Sequence, residues 1–158
     1  MKYHFVLITF LLAHLTYSQN VTDEMLAEEY YRNKEFDKAS TIFETLYKVE
    51  KRKKTYIKYI DCLMQIEAYK KAERVIKSFY KKTHDPTILI DLGQVYYLQG
   101  DEKRGDENFN TAIQRAKEKP QYLPIIGQKF FKQKKYKLAL KSYELAQEKK
   151  QKASYSLQ

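Results

Sequence analysis

Residues 88–101 read ILIDLGQVYYLQGD. The apolar spacing is that of a helix, yet Gly93 interrupts it between Leu92 and Tyr96, where glycine costs about 1 kcal/mol relative to alanine. A helix interior tolerates glycine when another helix has to approach closely at that point. Whether the chain repeats the arrangement elsewhere therefore decides the fold.

It does repeat. With Ala39 of FDKASTIFETL as a marker, Ala72 follows 33 residues later, Gly105 another 33 later and Ala139 34 beyond that. Four residues after each marker stand Phe43, Ile76, Phe109 and Tyr143, and three before it Phe36, Tyr69, Glu102 and Tyr136. Twelve residues upstream lie Ala27, Ile60, Gly93 and Gly127, and nine upstream Tyr30, Leu63, Tyr96 and Phe130. Each unit holds two amphipathic segments joined by a short polar turn, RNKEF, IEAY, LQGDE or KQKKY, which is a helical hairpin. The pattern predicts helices at 21–33, 36–49, 54–66, 69–82, 87–98, 102–117, 121–133 and 136–151. No run of strict alternation bounded by Asn-Gly or Asp-Gly marks a strand. Small residues in both helices let the pair approach and large ones fill the space around them, so the columns are packing devices that require no catalysis.

These residues resemble the tetratricopeptide repeat family. Its pattern is met best by LIDLGQVYYLQGDEKRGDENFNTA, through Leu89, Leu92, Gly93, Tyr96, Gly100, Phe109 and Ala112. Departures are Ile60 in a small-residue column, Gly105 for alanine, and Leu46 and Phe79 where the family usually has alanine. The resemblance implies an all-α fold, a right-handed α-solenoid of four tetratricopeptide-like helix-turn-helix repeats. The units are expected at about 20–52, 53–85, 86–119 and 120–152, with residues 153–158 opening a further one.

Composition agrees with a helical domain carrying a modest core. The 158 residues are 43% hydrophobic and 32% charged, with 15 tyrosines, four glycines and three prolines. The first eighteen residues stand apart: Lys2 precedes an apolar stretch from Phe5 to Leu15, followed by Thr16 and Ser18. They read as a secretory signal peptide, too short in apolar length for a membrane span. No cysteine follows that stretch to carry a lipid anchor. Cys62, the single cysteine, cannot form an internal disulfide and reads as a small core residue. An extracytoplasmic location is expected, periplasmic, associated with the outer envelope, or secreted.

Catalytic chemistry is not visible. His4 and His14 lie in the signal segment and His84 stands alone beside Asp85-Pro86, so no metal site is expected. Phosphate loops, paired cysteines and Ser-His-Asp sets are missing, and no cofactor is implied. The carboxylate pairs Glu28-Glu29 and Asp101-Glu102 point in different directions on a helix, and a first-turn acid is explained by the helix dipole.

In the family, ligands lie along the first helix of each unit, on a concave groove. By register the resemblance places there Glu24, Glu28, Tyr31 and Arg32; Ile57, Asp61, Met64 and Gln65; Ile90, Gln94, Tyr97 and Leu98; and Gln128, Phe131 and Lys132. Tyr31, Met64, Tyr97 and Phe131 share one column, either as a ladder of contact groups or as packing against the next unit. Family members that capture chaperone C-terminal carboxylates use Lys and Asn in the first unit, where this chain has Glu24 and Glu28. A protein segment with apolar anchors and some positive charge toward the first unit is expected instead.

Charge is unevenly placed. Gln19 to Glu50 carries eight acids against four bases, net −4, whereas Lys119 to Gln158 carries ten lysines against two acids, net +8. Lysines interleave with Phe130, Phe131, Tyr136 and Tyr143, but packing columns account for most of those rings, so nucleic acid is not an expected partner. Membrane contact is limited to the signal segment or the basic end. The sequence thus points to a non-enzymatic interaction scaffold of a bacterial envelope. The alternatives are an assembly element that self-associates through its oppositely charged ends, or the interaction domain of a longer protein. The apolar YKLALKSYELAQ near the end, with Leu157 in the column of Tyr56 and Leu89, favours further repeats or a covering partner.

Overall fold

The computed structural model describes residues 22–155. The expected signal segment and Leu157 lie outside them. The chain divides into two compact units, one ending at Ala68 and the other beginning at Tyr69. The first holds α1 (22–32), α2 (Phe36–Glu50) and α3 (Lys53–Gln65). The second holds α4 (Tyr69–Thr83), α5 (Ile88–Leu98), α6 (Glu102–Glu118), a 3₁₀ turn (Pro120–Tyr122), α7 (Leu123–Lys132) and α8 (Tyr136–Tyr155). Every expected helix is present with its ends within two residues, except that α8 continues to Tyr155. Residues 153–155 prolong α8, because neither glycine nor proline interrupts the lysine-rich helix formers before them. No strand occurs among the described residues.

The hairpin turns are one structure used four times. Lys34, Glu67, Gly100 and Lys134 all have left-handed backbone, with φ of 61°, 57°, 80° and 59°. Each donates its N–H to the carbonyl three residues back, and the next residue donates to the carbonyl five back: Lys34 to Tyr31 and Glu35 to Tyr30, at 3.1 and 2.9 Å. The same pair joins Glu67 to Met64 and Ala68 to Leu63, Gly100 to Tyr97 and Asp101 to Tyr96, and Lys134 to Phe131 and Lys135 to Phe130. This double closure satisfies the last carbonyls of the first helix and reverses the chain. Lys51 and His84, 33 residues apart, are left-handed in the same way after α2 and α4. His84 is thus a turn residue, followed by Asp85, whose carboxylate accepts from the Thr87 N–H at 2.9 Å and its hydroxyl at 2.7 Å to start α5.

Packing explains the glycines. A β-carbon on Gly93 would stand 2.5 Å from the Phe109 ring and 2.9 Å from the Gly105 carbonyl oxygen, so α5 and α6 meet backbone to backbone. One on Gly105 would collide with the Tyr97 ring, and one on Gly127 would stand 2.7 Å from the Tyr143 ring. Phe109 then meets Phe130 of α7 edge-on at 5.2 Å, which stacks the third hairpin on the fourth. In the first unit Tyr47 of α2 meets Tyr56 and Tyr59 of α3 at 6.4 and 6.0 Å, so the two units share one stacking rule.

Candidate partner-binding faces

In the first unit the face of α1 and α3 is closed by a ladder of side-chain pairs 30 residues apart. Lys54 bonds Glu24 at 2.7 Å, Lys58 bonds Glu28 at 3.1 Å, and the Tyr31 hydroxyl donates to Asp61. Arg52 adds a second cation to Glu24 at 3.4 Å. The Lys54 ammonium, through its hydrogen bond, holds the Glu24 carboxyl below its usual range. Lys58 also lies 3.9 Å above the Tyr31 ring, a cation over the negative face of the π system. Burial first, and then the Asp61 carboxylate, push the Tyr31 hydroxyl upward, so it remains a donor.

Four residues assigned to partner contact, Glu24, Glu28, Tyr31 and Asp61, are therefore spent on joining α1 to α3. Cations of the chain already stand against those acids at this end. Glutamates at i, i+4 on α1 and lysines at i, i+4 on α3 carried the signal. Arg32, Ile57 and Gln65 remain exposed, and Met64 is half-buried. Beside the ladder, Glu24, Glu28, Arg32 and Lys54 share a cleft of about 670 Å³ with Met25 and Leu26.

The second unit places the same columns differently. By register the rungs are Ile90 with Gln121, Gln94 with Ile125, and Tyr97 with Gln128, and none carries charge. Ile90 is 0% exposed, so its assignment to the groove is corrected: it is a core residue. Tyr97 folds back on its own hairpin, stacked on Phe109 at 5.4 Å with an 18° interplanar angle, and its hydroxyl donates to Asp106 at 2.5 Å. That bond raises its pKa to about 12. Lys135 stands 3.5 Å from the centre of the Tyr97 ring and 4.9 Å from the centre of the Phe109 ring, so one ammonium serves both.

The tyrosines of the column are thus packing groups in large part. Only Phe131, 59% exposed and edge-on to Tyr136 at 5.6 Å, presents its ring freely. Gln94 is half-buried, and Leu98, Gln128 and Lys132 are exposed. Ile125, 45% exposed on the rung of Gln94, was missed by the sequence reading. Its signal was an isoleucine in the column that holds Lys58 in α3. One turn from Ile125, Lys129 bonds Asp91 at 2.6 Å and the Thr87 carbonyl at 3.0 Å, tying α7 to α5.

Among the described residues no group of three His, Cys, Asp or Glu side chains could hold a metal ion, and no helix is long and apolar enough to cross a membrane. Asp101 caps α6, accepting from the Arg104 N–H at 2.9 Å, which accounts for the carboxylate at that turn.

No family model matches the sequence, and no curated protein is similar to it. Solved structures are similar in fold. PcrH in complex with the chaperone binding region of PopB is 15% identical with a TM-score of 0.57, over 81% of this chain and 94% of that one. MamA from Desulfovibrio magneticus RS-1 is 17% identical with a TM-score of 0.52, over 84% and 76%. The TPR2AB domain of yeast Sti1 in complex with an HSP90 peptide is 13% identical with a TM-score of 0.53, over 82% and 63%. At these identities the likeness shows the fold alone, a tetratricopeptide-like α-solenoid.

Proposed function

We propose that the chain is a non-enzymatic protein-interaction module that holds an uncharged, apolar-anchored segment of a partner on the α5–α7 face of its second unit. One observation supports this reading: the rungs closed by ion pairs in the first unit have uncharged counterparts in the second, where Ile125 and Gln128 are exposed. Gln94 and Gln128 offer amides that can both donate to and accept from a main chain, while Leu98, Ile125 and Phe131 offer apolar anchorage. Support comes from the fold, which in the PcrH and Sti1 complexes holds a segment of another protein. The expected partner is a protein or peptide and the expected setting is extracytoplasmic; the latter rests on the first eighteen residues. Sequencing the mature N-terminus should find Gln19, and an intact Met1 would count against export.

Pull-down from an envelope fraction tests the site. Ile125→Glu with Gln128→Arg should lose the bound protein, while Ile57→Glu on the first unit should keep it. Equal retention by both variants would remove the α5–α7 face from the reading.

A further inference from the structure

The two outermost hairpins expose residues that their counterparts bury. In α1, Leu26 is 39% exposed, whereas the same column holds Tyr59, Leu92 and Ile126 at 1%, 6% and 0%. Glu29 is exposed in a column whose next two members, Cys62 and Val95, are fully buried. At the other end Tyr143 is 41% exposed, while Phe43, Ile76 and Phe109 above it in the column are buried. Tyr136, Leu140 and Tyr143, at i, i+4 and i+7, form an uncovered apolar stripe on α8 beside the exposed lysines Lys137 and Lys141.

Within each unit such a face receives the first helix of the following hairpin: Tyr59 of α3 on Tyr47, and Phe130 of α7 on Phe109. Among the described residues α1 is the first-type helix whose outer residues in these columns stay exposed. Its charge is complementary in sign: apart from Glu24 and Glu28, which pair with Lys54 and Lys58, 22–32 carries Asp23 and Glu29 against Arg32, while Leu123–Tyr155 carries nine lysines against two acids. By the register that puts Lys58 over Tyr31, Met25 falls opposite the Phe131 ring. A methionine sulfur against an exposed phenylalanine is a favourable contact, and Met25 is 69% exposed.

We propose that α1 of one copy stacks on the α7–α8 face of a second copy, continuing the repeat across the boundary between chains. The contact is head-to-tail, so each copy keeps one free face of each kind and assembly proceeds beyond the dimer unless it closes. This surface shares Phe131 with the partner face above, but its test uses the purified chain alone and needs no partner.

Sedimentation velocity of the purified chain at rising concentration provides that test. At low salt the average mass should climb with concentration, and association should weaken by about tenfold in about 0.5 M salt, where the attraction between unlike ends is screened. Met25→Glu and Phe131→Glu, both at exposed positions that leave folding intact, should each be monomeric alone. Mixed, they should form a 1:1 dimer and nothing larger, because one intact α1 and one intact α7–α8 face remain. A wild-type chain that stays monomeric at low salt would overturn the proposal. So would loss of association in Phe131→Glu with Met25→Glu unaffected, which would mark a symmetric contact between two terminal hairpins.

Discussion

The Phe109 ring stands 2.5 Å from the point that a β-carbon on Gly93 would occupy, and the Gly105 carbonyl stands 2.9 Å from it. A ring can tilt, but a helix carbonyl moves only with its backbone. Gly93→Ala should therefore lower the melting temperature by a few degrees, although alanine is favoured over glycine in an open helix by about 1 kcal/mol. Gly93→Leu should cost more than the roughly 1–3 kcal/mol of ordinary overpacking, because side chains and backbone must both move. Thermal unfolding decides: a melting temperature at or above wild type for either variant would mean that α5 and α6 are not in close approach there.

The left-handed turn column yields a prediction of opposite sign. Gly100, with φ of 80° and nothing within 4 Å of its would-be β-carbon, adopts this conformation without strain, whereas Lys134 at 59° carries a β-carbon there. Lys134→Gly should stabilise the fold, and Gly100→Ala destabilise it, by up to about 1 kcal/mol each. Urea unfolding midpoints of the two variants report this directly; shifts of the same sign would contradict a shared turn geometry.

Acid should weaken the molecule through its paired carboxylates. Hydrogen bonds from Lys54 and Lys77 hold Glu24 and Glu73 below their ordinary value of 4.5. Such groups contribute stability above the unfolded pKa and lose it as pH falls through that value toward the folded one. The stability gap between wild type and Glu24→Gln, about 0.2–1 kcal/mol at neutral pH for an exposed pair, should shrink as pH falls below the ordinary carboxylate value. Denaturant titrations at neutral and acid pH would show it, and a gap undiminished in acid would mean that the pair is not what Glu24 contributes.

Cys62 should be inert in the folded chain. Burial pushes its thiol up to about 12, leaving about one molecule in ten thousand as thiolate at pH 8. Iodoacetamide should label it only in denaturant, as mass spectrometry can follow. Fast labelling of the native protein would place Cys62 outside the core.

The period, the hairpins and the glycine columns were legible in the sequence because steric demands recur at fixed spacing: where Phe109 must fit, Gly93 must be small. The turn column was hidden, since only Gly100 advertises left-handed backbone, while Lys34, Glu67 and Lys134 reach it through the two hydrogen bonds that close each helix. The groove was read by position alone, and position does not say whether a side chain is already engaged. Glu24 and Glu28 look available until Lys54 and Lys58 are seen across from them, and Ile90 looks like a contact residue until its burial is known. Ile125 escaped because its column holds a charge in α3.

Site-specific photocrosslinking in the native host tests the central claim most directly. A benzophenone side chain at Gln128, on the open face of α5 and α7, should join the chain to a single protein species through a short segment of that protein. The same group at Ile57, beside the closed ladder of α1 and α3, should give no such adduct. Equal adducts at both positions, or none at Gln128 while the partner still copurifies, would contradict the account.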